Sequence, residues 1–224
     1  VLKAFNMWRE ESAKRFNGIF AYAIYDKEEK ELFLCRDRIG VKPLYYSTAG
    51  GNFSFASRME SLLYVPGVEP VCDREGLCEI FMLGPAKTIG KTVFRDISEL
   101  PPGAYMYYKG GKTVTKKYWE LTAEPFGDSE SIAVERTHCL VTDAIRRQLV
   151  SDVPLCTFLS GGLDSSIISK VAADEYADRG KILSTYSVDY VDNDKYFKSS
   201  AFQPNKDSDY INLISYYIDS DHTN

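Results

Sequence analysis

The chain has 224 residues, a mass of 25.3 kDa and a net charge of −5. At about 150 residues per domain this suggests one or two domains. With 44% hydrophobic residues and so mild a charge, it is a chain that folds rather than a disordered one. A pI near 5.2 and the lack of any basic block speak against a protein built to hold nucleic-acid backbone or an anionic membrane surface. The longest apolar run, Gly18 to Tyr25, is far short of the roughly 20 residues that span a bilayer.

Five cysteines, Cys35, Cys72, Cys78, Cys139 and Cys156, are an odd set without a C-x-x-C pair. They fit neither a disulfide scaffold nor a zinc site, and read as small apolar residues of a reduced, cytoplasmic chain. His138 and His222 are the only histidines, which excludes a multi-histidine metal centre. The chain starts at Val1 and stops at Asn224, directly after a helix-like segment with no clear terminator. It is expected to be an internal piece of a longer protein.

The first half is β-rich. Ile19 to Tyr25 and Glu31 to Cys35, joined by a short charged turn, predict a hairpin. Pro43 to Ser47 and Asn52 to Ala56 flank Gly50-Gly51, and Ala104 to Tyr108 and Thr113 to Tyr118 flank Gly110-Gly111, predicting two more. Short helices fit Met59 to Tyr64 and Arg74 to Leu83. Residues 122–128 read as a linker. Asp128 or Ser129 then caps a helix running to about Leu149, with Ile132, Leu140, Val141, Ala144, Ile145 and Leu149 close to one face.

Apolar Leu155 to Leu159, a glycine turn, a helix over Ile167 to Arg179 closed by Gly180, and a strand over Ile182 to Val188 make a βαβ unit, which implies a parallel sheet. Tyr190 to Asn205 is loop-like. Asp207 or Ser208 opens a last helix, with Ile211, Ile214 and Ile218 on one side.

The turn Ser160-Gly161-Gly162-Leu163-Asp164-Ser165-Ser166 carries the chemistry. Two glycines let backbone N–H groups approach an anion closely, and the loop opens a helix whose free N–H groups and dipole favour negative charge. Ser160, Ser165 and Ser166 each offer a hydroxyl donor. Asp164 suits an anion site only if a Mg²⁺ bridges it to phosphate oxygens. The spacing and the missing lysine exclude a Walker A loop.

Ser160 to Ser166 resembles the pyrophosphate loop of the PP-loop ATP pyrophosphatases. With Ser151-Asp152-Val153-Pro154 and Thr157-Phe158-Leu159 before it, the stretch resembles the glutamine-dependent asparagine synthetases in particular. Phe16 to Asp26, Arg36 to Tyr46, Phe55-Ala56-Ser57, Leu100 to Gly103 and Tyr118-Trp119 resemble, in order, segments of that family's glutaminase domain.

The resemblance implies a fold of two parts. An α+β part over 1–121, a portion of the αββα N-terminal-nucleophile glutaminase sandwich, precedes the linker. The start of an α/β ATP pyrophosphatase domain with a parallel sheet follows over 129–224. It implies a ligase that adenylates the aspartate side chain with ATP and Mg²⁺ and displaces AMP with ammonia from glutamine; the alternatives are a related ATP-dependent amidotransferase with another acceptor, similar to a β-lactam synthetase, and a non-catalytic remnant of the fold. Ser160, Gly161, Gly162, Ser165 and Ser166 would hold pyrophosphate, Asp164 would ligate Mg²⁺, and the Val188 backbone would meet the nucleotide.

The partners implied are small molecules, ATP, aspartate and glutamine, not nucleic acid or membrane, with room for a homodimer. No catalytic residue is assigned, because the amino-terminal cysteine nucleophile and its glutamine-binding partners would lie upstream of Val1. The aspartate-binding residues would lie beyond Asn224, so the isolated chain is expected to turn over neither reaction and to be poorly stable, its parallel sheet cut after two strands. Asn17-Gly18 is read as a structural turn rather than an oxyanion hole. Arg36 and Asp37 are read as a buried ion pair holding the sheet. Cys156 stands where the family carries glycine, and Arg58 and Glu60 reverse its usual charges.

Overall fold

The structure is a computed structural model that describes residues 1–84, 86–189, 195, 197–198 and 206–224. The chain divides into two units, Val1–Glu124 and Pro125–Asn224. In the first, α1 (Leu2–Trp8) and α2 (Ser12–Arg15) precede the hairpin β1 (Ala21–Asp26) and β2 (Glu31–Arg36). Then come β3 (Tyr45–Ser47), β4 (Ser54–Ala56), α3 (Met59–Leu62), α4 (Arg74–Met82), β5 (Ser98–Glu99), β6 (Ala104–Lys109) and β7 (Lys112–Lys117).

Two antiparallel sheets result, ordered β1-β2-β6-β7 and β4-β3-β5. The three expected hairpins and both short helices are present, and Gly50, Gly51, Gly110 and Gly111 all take positive φ in the turns.

Alternation along β2 sorts its side chains between two cores. Phe33 and Cys35 face Phe5 of α1, Ala13 of α2 and Tyr105. Phe33 is 1% exposed, and its ring centroid lies 4.7 Å from that of Phe5 and 5.5 Å from that of Tyr105. Leu34 faces the other way, with Leu44, Leu100, Ala104 and Met106, between the two sheets. Beyond the second sheet, Tyr45 and Ala56 pack with Leu62 of α3, Val68 and Ile97. The layers therefore run helix, sheet, sheet, helix. Strand β7 closes one edge of the larger sheet, and Lys112, Lys116 and Lys117 are among its six exposed residues.

The second unit holds α5 (Glu130–Gln148), β8 (Cys156–Phe158), α6 (Leu163–Ala177), β9 (Ser184–Tyr186), α7 (Asp207–Tyr217) and β10 (Asp221–Thr223). Its sheet is parallel, in the order β10-β9-β8. Ala172, Ala173, Leu183 and Ile218 form the core. Gly180, at φ +67, ends α6: the Lys181 N–H donates to Tyr176 O and the Gly180 N–H to Ala177 O, the bond pair of a Schellman cap.

Three expectations are corrected by the structure. The sheet has a third strand, β10, where two were expected. Helix α6 begins at Leu163, not Ile167, so Asp164, Ser165 and Ser166 lie in its first turn. The helix-like segment before Asp221 does have a terminator: Asp219 takes φ +51, and the Ser220 N–H closes on Ser215 O. On α5 only Ile145 is buried, while Ile132 and Leu140 are 41% and 70% exposed. The loop reading of Tyr190 to Asn205 falls largely outside the described residues. No described helix is long and apolar enough to cross a membrane.

Candidate functional site

Parallel strands present their C-terminal ends, and the loops that follow, to one edge of a sheet, which is where ligands of open α/β sheets bind. At that edge the Leu159 N–H donates to Tyr186 O at 2.8 Å, tying the exit of β8 to that of β9. Leu159 is 3% exposed and anchors the turn that follows it. Ser160 to Ser166 and Val188 are thus brought to the same edge. The Val188 side chain is 78% exposed.

The two glycines are not equivalent. Gly161 takes φ +75, and a Cβ built there would lie 2.9 Å from Asp207 O and 3.2 Å from Tyr210 Cβ. The turn is thus pressed against the first turn of α7, and only glycine fits. Gly162, at φ −80 and ψ 162, is the N-cap of α6 in a conformation open to any residue. A Cβ there would meet nothing closer than Ser160 Oγ at 3.5 Å.

The serines close on the turn itself. The Ser160 N–H donates to Ser165 Oγ at 3.2 Å, and the two hydroxyls lie 3.0 Å apart. Ser165 and Ser166 hydroxyls donate to Gly162 O at 3.1 and 2.7 Å. These are the donors a phosphate would need, and rotation about single bonds releases the hydroxyls. Asp164 is exposed in the first turn of α6. Among the described residues no group of three or more His, Cys, Asp and Glu side chains could hold a metal by itself. One free-standing carboxylate beside an anion turn still fits Mg²⁺, which is commonly bound by one or two carboxylates plus substrate phosphates.

The apolar groove of about 700 Å³ between α5, α6 and α7, lined by Val134, Val141, Ile167, Val171 and Ile214, offers little to a phosphate. Cys156 is exposed.

In the first unit Arg36 and Asp37 are buried, at 4% and 1%, but do not pair as expected. Arg36 Nη1 meets Glu99 Oε1 at 3.0 Å, and its guanidinium donates to the carbonyls of Lys42, Leu100 and Gly40 at 2.7 Å each. Asp37 accepts the N–H groups of Val41 and Lys42 instead. Glu99 also meets Lys87 Nζ at 2.8 Å. Sequence reasoning missed Glu99. A lone carboxylate between the apolar residues Ile97 and Leu100 is the signal that a buried cation must be near. Arg58 Nε and Glu60 Oε2 lie 3.5 Å apart, both exposed. Burial pushes the Cys35 thiol up to about 12, so it stays protonated and inert.

Residues 1–119 match the sequence model described as the glutamine amidotransferase domain, over more than half of the chain. The chain belongs to the glutamine amidotransferase domain family. Residues 137–224 also match the model described as asparagine synthase. It is 45% identical over 217 residues to "Asparagine synthetase [glutamine-hydrolyzing] 3" of Bacillus subtilis, covering 96% of the chain and 35% of that protein. A putative asparagine synthetase of Methanocaldococcus jannaschii is 32% identical over 195 residues, 85% of the chain and 37% of its own length. "Amidase chyE" of Penicillium rubens is 29% identical over 163 residues, 70% and 23% respectively. The chain thus spans about a third of the length of the first two of these relatives. The mixed architecture, with antiparallel sheets first and a parallel sheet after, agrees with the resemblance read from the motifs.

Proposed function

We propose that this chain is a section of a glutamine-hydrolysing asparagine synthetase. The observation that carries the reading is the strand, glycine turn and helix of Ser160 to Ser166, lying inside the segment matched to asparagine synthase. The 45% identity to a protein of that name over 96% of the chain supports it. The residues divide the work as follows. The backbone at Gly161 and Gly162 and the N-terminus of α6 face the phosphates with fixed N–H dipoles, which stabilise charge as it develops on the leaving pyrophosphate. Ser160, Ser165 and Ser166 turn their hydroxyls outward to the same oxygens. Asp164 holds Mg²⁺, which when bound neutralises phosphate charge. The backbone at Val188, beyond β9, orients the nucleotide. An aspartate carboxylate oxygen attacks the α-phosphorus and pyrophosphate leaves; ammonia from glutamine then displaces AMP, giving asparagine.

On this reading the domains are 1–121 and 129–224 with a linker over 122–128. The enzyme works in the cytoplasm on small molecules, an arrangement compatible with a homodimer.

The test uses the full-length protein that contains this sequence, supplied with ATP, Mg²⁺, aspartate and glutamine. Asparagine, AMP and pyrophosphate are expected in equal amounts. Asp164→Ala is expected to abolish AMP release while glutamine hydrolysis continues. Absence of AMP from the unsubstituted protein refutes the reading. A second reading, the same activation chemistry on another acceptor, is favoured by the match to a protein named an amidase. AMP release with other carboxylates, but not with aspartate, would establish it.

A further inference from the structure

A row of polar side chains crosses the parallel sheet where apolar ones would be usual. Thr185 on the central strand β9 is fully buried, and it stands in register between Thr157 on β8 and His222 on β10. Thr157 Oγ1 lies 2.7 Å from Ser169 Oγ of α6, which is also fully buried. Thr185 Oγ1 lies 2.9 Å from Ser220 Oγ and 2.9 Å from His222 Nδ1. His222 Nε2 lies 3.1 Å from Ser187 Oγ, and the Ser187 hydroxyl donates to Asn224 Oδ1 at 2.8 Å.

The proton order follows from these partners. Because Ser187 gives its proton to Asn224, its oxygen accepts from His222, so Nε2 carries the ring hydrogen. In the neutral ring Nδ1 is then an acceptor and takes the Thr185 proton. Ser220 Oγ lies 2.9 Å from Thr185 Oγ1 and 3.4 Å from Ser215 O, and gives its one proton to the nearer, Thr185 Oγ1. Thr185, His222 and Ser187 thus each both donate and accept within the chain.

Directional bonds of this kind fix geometry where apolar packing would allow sliding. What they fix is the exit of β9. The Ser187 N–H donates to Thr223 O at 3.1 Å, and its side chain is held by His222 and Asn224. Val188 follows directly, and Tyr186 O, one residue before, holds the Leu159 N–H at the mouth of the glycine turn.

We propose that His222 is a positioning residue for the nucleotide: its two ring nitrogens clamp Thr185 and Ser187 and so set the Ser187–Val188 backbone opposite the Ser160–Ser166 turn. The proposal rests on the ATP-dependent reading above. His222 touches no reacting atom in it and acts through Ser187.

The ring can be dissected, because the asparagine amide nitrogen overlays Nδ1 and the glutamine amide nitrogen overlays Nε2. In the full-length protein, pyrophosphate release is followed against ATP at saturating aspartate and glutamine, with glutamine hydrolysis measured in parallel. For His222→Ala and His222→Asn the KM for ATP is expected to rise about tenfold, the equivalent of one hydrogen bond, with kcat within about threefold and glutamine hydrolysis unchanged. His222→Gln, which keeps the bond to Ser187, is expected to restore KM to within about threefold. Ser187→Ala, which leaves the ring and its bond to Thr185 in place, is expected to copy His222→Asn. An unchanged KM for ATP in His222→Asn and Ser187→Ala overturns the proposal. So does equal recovery by asparagine and glutamine, which would mean that the ring only fills space. If the unsubstituted protein releases pyrophosphate normally while these variants show no KM effect, the positioning role alone has failed. If the unsubstituted protein neither binds Mg-ATP in equilibrium dialysis nor releases pyrophosphate, the functional reading has failed and this proposal with it.

Discussion

Gly161→Ala and Gly162→Ala add the same methyl group to adjacent residues, and the structure assigns them different outcomes. Alanine at 161 must hold φ near +75, which costs an L-residue about 1–2 kcal/mol. Its Cβ would also sit 2.9 Å from Asp207 O and 3.2 Å from Tyr210 Cβ. Neither is the far end of a flexible side chain, so the first turn of α7 must move, at about 1–3 kcal/mol for overpacking. Together these give about 2–5 kcal/mol.

At 162 the backbone suits any residue, and the nearest atom, Ser160 Oγ, is 3.5 Å away. Stiffening the unfolded chain there stabilises by about 0.4–1 kcal/mol, which the poorer capping of α6 by alanine than by glycine offsets, so the net change is expected near zero. Trp8 and Trp119 both lie in the first unit, so tryptophan fluorescence does not report on this region. Amide hydrogen exchange followed by mass spectrometry does. Peptides covering α6 and α7 are expected to lose about 30-fold protection or more in Gly161→Ala, the equivalent of 2 kcal/mol, and almost none in Gly162→Ala. Mg-ATP binding should show the complement, because a methyl at 162 intrudes on the phosphates without disturbing the fold. Equal protection losses in the two variants would refute the distinction.

The first unit offers two further tests. Arg36→Met leaves Glu99, 3% exposed, with Lys87 as its remaining cation, and strips three carbonyls of their donor. Breaking a buried pair from one side costs about 3–5 kcal/mol, and the surviving Lys87 contact points to the lower end. Urea unfolding read by tryptophan emission should show it, and a loss below about 1 kcal/mol would show that the pair is not structural. Acid should weaken the unit as well. The Glu29 and Glu28 N–H groups hold the Asp26 carboxyl below its ordinary range, the Arg95 side chain does so for Asp96, and Thr88 for Glu79. Folded values below the unfolded ones mean that this stability is present above about pH 4.3 and is lost as pH falls through the folded values. The urea midpoint is expected to drop between pH 5 and 3, less steeply in Asp26→Asn; no drop would contradict the sign.

Two of the hairpins were legible because a Gly-Gly pair between alternating strands admits few other structures, the first because a short charged turn parts two apolar runs, and the βαβ unit because an apolar run, a glycine turn and a closing Gly180 stand in sequence. Strand β10 was not legible. Asp221, His222 and Thr223 have no apolar alternation, and their extended backbone comes from pairing with β9. Asp219 ends α7 in the left-handed conformation usually given to glycine, so the stop carried no familiar marker. The partner of Arg36 was hidden for a different reason: Glu99 lies on β5, a strand of two residues that exists through its pairing with β3. At the candidate site the residue types of the turn could be read, but not the asymmetry of its glycines, which depends on α7 approaching from beyond the loop.

The lysines of β7 have a colloidal consequence. A strand adding to that edge would have to desolvate Lys112, Lys116 and Lys117 while bringing its own backbone alongside. Sheet extension is therefore the unfavourable route for self-association of this unit. Lys117 already meets Glu120 at 3.1 Å, and what the other lysines gather from solution is small counterions, multivalent anions most strongly. Clouding of concentrated solutions should accordingly follow anion valence rather than time spent at raised temperature.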